Sequence, residues 1–249
     1  MHFSQATSDP CYRQNKRRLN YLLFKDLTCG VSMRECARKF GIHRTTVDRK
    51  KRFLAIQSKS WLISFRKVKK VSDMQFDDME TFEHTKCKPV SIILSVEKHT
   101  RLILGFKVAR MPAKGLLVRR SLKKYGKRPD ERKEAREQLF TELKDSLIPH
   151  ANIYSDQNPH YEPDVKKHFP LANYETFKGR RGCVVGQGEL KGGGFDPLFS
   201  LNHTAAMLRA NINRLFRRTW CTTKKIEGLE DHIAIYAKAH NQRILEKIS

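Results

Sequence analysis

The chain has few acids: 26 Asp and Glu stand against 50 Lys and Arg in 249 residues, a formal charge of +24. Solubility asks for far less. An excess of this size implies a polyanionic partner, because each phosphate that is neutralised releases condensed counterions and strengthens binding. Long apolar runs are missing too. The longest, at 92–96 and 102–106, are strand-sized and far short of a membrane span. The six cysteines include no Cys-x-x-Cys pair, which excludes a metal knuckle or a disulfide-stapled secreted domain and fits reduced thiols. Polar residues at the start (His2, Ser4, Gln5, Thr7, Ser8, Asp9) leave no apolar signal core. Nucleotide hydrolysis is unsupported, since no Gly-x-x-x-x-Gly-Lys-Ser/Thr run occurs. There is no internal repeat and no low-complexity tract. These absences lead to the expectation of a cytoplasmic protein with no membrane partner.

A hydrophobic fraction of 39% is sufficient for a packed core. Charge is unevenly spread. Residues 1–70 hold 18 Lys and Arg against Asp9, Asp26, Glu35 and Asp48, an excess of 14 out of the chain's 24. In the same stretch, helical spacing at 15–27 (Leu19, Leu22, Leu23, Leu27) is followed by a break at Gly30. Ser32 then stands three residues before Glu35, the arrangement of a capping box. A short helix to Phe40, an interruption at Gly41 and a third helix from Arg44 to about Leu54 make a helix-turn-helix. Ala37 is small where the helices cross, Gly41 supplies the left-handed turn, and Phe40, Ile42 and Val47 form the miniature core. The third helix would offer Arg44, Thr45, Thr46, Asp48 and Arg49 to base edges, with Lys50, Lys51 and Arg52 near phosphates.

Beyond Trp61 the period changes. Segments 74–82, 89–97 and 101–110 read as a meander of three strands. A helix at 131–147, a strand at 151–155, a short helix at 163–169 and a strand at 173–177 follow. Next come a glycine-rich loop (Gly179, Gly182, Gly186, Gly188, Gly192, Gly193, Gly194), read as a flexible flap, and a long helix opened by Asp196-Pro197. That helix is expected to carry Leu198, Leu201, Ala205, Leu208, Ile212, Leu215 and Thr219 at spacings of three or four. A last helix runs from Ile226 to about His240. The fold class is therefore α/β: a basic helix-turn-helix module at 1–60, a linker at 61–72, and a mixed-sheet domain with flanking helices at 73–249.

Three acids sit on elements that could bring them together: Asp77 within the first strand, Asp156 ending the fourth, and Asp196 at the start of the long helix. Carboxylates suit hard divalent ions such as Mg²⁺, and two such ions can clamp the attacking and leaving oxygens of a phosphoryl displacement. Each acid also has a structural reading. Asp156 can cap the turn Gln157-Asn158-Pro159, and Asp196 is a good helix cap. Asp78 rivals Asp77, because adjacent strand residues face opposite ways.

Phe76-Asp77-Asp78-Met79, Tyr154-Ser155-Asp156-Gln157-Asn158, and Asn202-His203-Thr204 continuing through Leu208-Arg209, Asn213-Arg214-Leu215 and Arg217-Arg218-Thr219 carry a resemblance. Over nearly all its length the chain resembles the DDE-type transposases of bacterial insertion sequences. The resemblance implies an RNase H-like fold with one Asp on the first strand, a second after the fourth strand, and a third acid on a following helix. It implies that Asp77, Asp156 and Asp196 act as catalytic metal ligands for Mg²⁺ (or Mn²⁺), with strand cleavage by water and strand transfer by the freed 3′-hydroxyl. It also implies double-stranded DNA partners, both terminal repeats and target, and a homo-oligomer on DNA. Arg214, Arg217 and Arg218 would join the helix-turn-helix in contacting DNA, with Lys224 and Lys225 beside them; Asn202 and His203 could support the site. Two departures stand out. The family commonly has Glu about three residues before that Asn, where this chain has Phe199; Asp196 is the nearest substitute and Glu189 a second. Relatives often open with a four-Cys zinc ribbon. The stretch from Phe3-Ser4 to Tyr12-Arg13 is similar to the tail of one, and a lone Cys11 cannot rebuild it. A truncated or degenerate copy is expected. It could act as a non-catalytic DNA-binding regulator. A nucleoid- or ribosome-associated basic protein is the third reading.

Overall fold

The computed structural model describes residues 8–178, 196–216 and 222–248. Three helices come first: α1 (Leu19–Leu27), α2 (Met33–Lys39) and α3 (Arg44–Val68). Gly30 and Gly41 turn the chain between them with φ of +79° and +59°, a region open to glycine without steric penalty. The Ser32 hydroxyl accepts the Glu35 N–H at 3.1 Å and starts α2 as its spacing implied. Leu19, Leu23, Leu27, Cys36, Val47, Leu54 and Ala55 close a small core, completed by Ile235 from the far end of the chain.

The third helix corrects two expectations. It does not stop near Leu54, and residues 61–72 are not a linker; they are the last turns of α3 and the start of the first strand. The physical reason is a buried stripe (Val47, Lys50, Lys51, Leu54, Ala55, Ser58, Leu62) that keeps its three-and-four spacing past residue 60. Trp61 then stacks on Phe65 at 5.2 Å between centroids. The 25-residue helix is about 37 Å long and joins the two halves without a break.

The sheet holds β1 (Val71–Phe82), β2 (Pro89–Glu97), β3 (Ile103–Arg110), β4 (Leu147–Asp156) and β5 (Asn173–Phe177), ordered β3-β2-β1-β4-β5. β1, β2 and β3 form the antiparallel meander; β4 and β5 add in parallel beside β1. A helical module followed by this mixed sheet is the expected α/β class. The short strand expected at 151–155 begins earlier, and the register against β1 shifts by three residues between Val71 and Asp73, where Pro149 and His150 bulge. α5 (Arg132–Leu143) and α6 (Tyr161–His168) cover one face, burying Phe76, Ile93 and Leu104 against Leu139, Phe140 and Val165. On the other face, α7 (Phe199–Asn211) and α8 (Ile226–Ile248) bury Met79, Ile92, Leu94 and Val96 against Leu201, Leu208 and Ile233. A short basic helix, α4 (Leu117–Tyr125), lies between β3 and α5 where the sequence reading placed no element.

Three helix ends differ from expectation. α5 stops at Leu143 because Leu147, which continues its four-residue spacing, pairs with Val71 in the sheet. α7 does not reach Thr219. It breaks at Ile212, which turns extended (φ −101°, ψ 107°), and a 3₁₀ turn at Asn213–Leu215 follows. Ile212 and Leu215 stay buried, so the apolar spacing ran on through the break. α8 extends to Ile248. No helix among the described residues is long and apolar enough to cross a membrane.

Candidate active site and nucleic-acid interface

The β1–β4 register pairs Asp73 with Asn152 and Gln75 with Tyr154, an offset of 79. The pairing ends at Gln75 and Tyr154; the same offset carried two residues further would bring Asp77 level with Asp156. Paired residues of parallel strands point to one face. Here that is the α7 face, since Met79 of the same alternation packs against α7 and α8. The two carboxylates feel each other: burial first, then the Asp156 charge, hold the Asp77 carboxyl above the ordinary carboxylate range. Asp77 Oδ1 accepts the Tyr161 hydroxyl at 3.1 Å and the Asp78 N–H at 2.6 Å. Asp156 Oδ1 accepts the Asn158 N–H at 3.1 Å, so it does cap its turn as well. Tyr161, at the start of α6, stays protonated: burial and then the charges of Asp78, Asp77 and Asp156 push its hydroxyl far above the usual range.

Asp78 faces the other way. Its carboxylate is buried beside Arg136 of α5 at 3.7 Å, and neither of its oxygens has a hydrogen-bond partner among the described residues. Burial lifts it to about 6, against the pull of Arg136. Arg136 is itself held by Asp164, with its Nε at 2.7 Å, and lies 5.0 Å from the Tyr161 ring centre.

Asp196 does not join the pair in a metal-holding group. Its Oδ1 accepts the Leu198 N–H and its Oδ2 the Asn202 side-chain amide, both at 2.9 Å, so its carboxylate is engaged in the turn just before α7. Among the described residues no three His, Cys, Asp or Glu side chains are grouped to hold a metal ion. The start of α7 is fixed over β1 by Gln75, which donates to Pro197 O at 2.9 Å and accepts the Leu201 N–H at 3.0 Å. The charge that α7 brings to bear on Asp77 is a positive one, Arg209. Phe199 is half-exposed. His203 stacks obliquely on Phe199 and lies 3.4 Å from Arg101. Glu189, the glycine-rich loop, Arg217 and Arg218 lie outside the described residues.

At the helix-turn-helix, Arg44, Thr45, Arg49 and Arg52 are exposed and Thr46 is half-buried. His43 caps α3, its Nδ1 accepting the Thr45 N–H at 3.4 Å. Lys50 and Lys51 require correction. Both belong to the inward stripe of α3, with 4% and 1% of their surface exposed, so neither reaches a phosphate from the outer face. Lys50 donates to Asn20 Oδ1 (2.9 Å), Asn15 O (3.0 Å) and Gln14 Oε1 (3.3 Å). Lys51 lies 3.8 Å from both Asp48 and Asp231, and burial lowers it to about 8. Arg214, expected on the polar side of a long helix, belongs to the 3₁₀ turn. Its guanidinium lies so close to Gly228 that a Cβ there would meet it at 3.3 Å.

A cleft of about 1380 Å³ opens between α2 and α3 on one side and the ends of β1 and β3 and the start of α8 on the other. Nothing in the sequence patterns indicated it. Tyr161, Arg136 and Gln75 were missed for the same reason: each acts through a neighbour more than 25 residues away in sequence. No protein-family model matches the chain, and no curated protein is significantly similar to it.

Proposed function

We propose that the chain is a DNA-binding enzyme of the insertion-sequence transposase type, cutting and joining phosphodiesters at the Asp77–Asp156 pair. The observation that supports this reading is the nearness of the two acids: the Asp156 charge acts on the buried Asp77 carboxyl, and the β1–β4 register runs toward both residues. Two like charges held together in a partly dry site call for a cation. Mg²⁺ (or Mn²⁺) is bound by one or two carboxylates together with substrate phosphates, so a pair is sufficient for one ion. When bound, that ion supplies Lewis-acid stabilisation of the charge that develops on the phosphate. The protein's own part is positional: Tyr161 holds Asp77 by one oxygen, and Gln75 fixes α7 over the site. Arg44, Thr45, Arg49 and Arg52 read and hold the duplex at the terminal repeats, and a homo-oligomer brings two ends together.

A second reading, the non-catalytic DNA-binding regulator, is favoured by one observation: both Asp196 oxygens are engaged locally, by the Leu198 N–H and the Asn202 amide, where the resembled family's nearby Glu is replaced by Phe199. Nicking of a plasmid carrying the element's ends, with Mg²⁺, separates the two. Asp77→Asn and Asp156→Asn are expected to lower cleavage beyond the about 10- to 100-fold that follows from disturbing a group that only orients a metal ligand. Cleavage that survives both substitutions, or a wild-type protein that binds DNA and never cuts it, leaves the regulator.

A further inference from the structure

The cleft between the helix-turn-helix and the sheet domain is lined, among the described residues, by nine Lys and Arg side chains and four Asp and Glu. We propose that it seats one strand of a DNA duplex, so that a single duplex touches both halves of the chain at once. This rests on the DNA-binding reading above and is independent of cleavage.

Four features of the cleft point to a run of phosphodiesters. Its two walls come from different parts of the fold: Arg34 and Arg44 from α2 and α3, and Arg110, Lys224 and Lys225 from the end of β3 and the approach to α8. Of these, Arg34, Arg44 and Lys225 make no ion pair among the described residues, so their charge is open to a ligand. The floor is cationic and dry. Lys51 and Arg214 lie there, and burial opposes the charge of each, while Asp231 and Asp48 stand no nearer to Lys51 than 3.8 Å. An anion above them would relieve the mutual repulsion of these two cations. Third, among the described residues no Phe, Tyr or Trp lines the cleft, which favours recognition of the backbone over stacking of unpaired bases. Finally, the walls are joined by packed structure. α3 packs along α8, and Ile235 of α8 completes the core of the N-terminal helices. Arg214 of the floor lies five residues after Arg209, whose charge acts on Asp77.

The test is binding of the full chain to a fluorescein-labelled duplex of about three helical turns, in EDTA, with Kd followed against salt. Lys224→Ala/Lys225→Ala removes two exposed charges far in sequence from the helix-turn-helix. Its log Kd against log salt slope is expected to fall by about 2, at roughly 0.9 per phosphate, with affinity about tenfold weaker at low salt. Lys133→Ala/Lys166→Ala, exposed on α5 and α6 across the sheet, removes the same charge and is expected to leave the slope unchanged. A slope that stays at the wild-type value in the Lys224/Lys225 variant overturns the proposal while Arg44→Ala still reports on the helix-turn-helix. So does a labelled single strand that binds more tightly than the duplex and loses affinity with the same two lysines. Failure of the wild type to bind duplex at low salt is a different result, and it removes the DNA reading itself.

Discussion

Asp77 and Asp78 are chemically identical neighbours given different work by the alternation of a strand. Asp77 faces α7 and shares its site with Asp156; Asp78 faces α5 and is compensated by Arg136, which also serves Asp164. The sequence could name both acids and the rule that separates them, and it could not say which face was which. That depends on α5 carrying an inward Arg at the right height, and Arg136 reads in sequence as one more surface charge. The buried trio has a definite energetic consequence. Removing one partner of a buried ion pair leaves the others unpaired in low dielectric, which typically costs about 3–5 kcal/mol. Arg136→Met is therefore expected to destabilise the chain by an amount in that range in urea unfolding at pH 7. The loss should be smaller at pH 5, where Asp78, raised to about 6, takes up a proton. An Arg136→Met protein as stable as wild type would mean that the trio contributes nothing.

Among the elements, strands were legible and helix ends were not. β2 and β5 have the bounds expected of them, because period-two patterns stop at turn residues such as Asn, Gly and Pro. Helices were misjudged wherever an apolar residue kept the spacing while the backbone did something else, as at Leu147 and Ile212. α4 was missed because Ser121 is its one fully buried residue, so its sequence presents charge and little apolar stripe. α3 was misjudged in the opposite sense: it was ended near Leu54, with a linker at 61–72, although the helix runs on to Val68. Ser60 tests this. It is exposed on α3, so its side chain is dispensable, yet proline there removes a helical hydrogen bond and clashes with the preceding turn. Ser60→Pro is expected to cost about 3 kcal/mol or more in denaturant unfolding. A linker would tolerate it with little change.

At the scale of the whole molecule, the parts meet around the first turns of α8. His232 is buried there, its Nε2–H donating to Leu27 O of α1 at 2.7 Å, while its Nδ1 has no hydrogen-bond partner among the described residues. Burial first, offset in part by that hydrogen bond, holds it down to about 3, with Arg214 and Lys51 opposing a further charge. In the unfolded chain the ring returns to its ordinary value near 6.5. Between the two values the unfolded state binds one more proton than the folded state, so stability rises with pH across this window. The contribution is complete above about pH 6.5 and is lost on acidification at about 1.4 kcal/mol per pH unit. By pH 5 that amounts to about 2 kcal/mol. His168, His203 and His240 are lowered as well and act in the same direction, so the wild-type acid limb is the sum of several histidines. His232→Gln keeps an amide able to donate to Leu27 and cannot take up the proton. Unfolding free energies at pH 7 and pH 5 are expected to fall less in this variant than in wild type, by about 2 kcal/mol. Because His232 ties α8 to α1, the acid loss in wild type should appear together in the near-ultraviolet signal of the aromatic side chains and in backbone circular dichroism. If the variant and the wild type lose the same stability between the two pH values, the junction is not held by a neutral histidine.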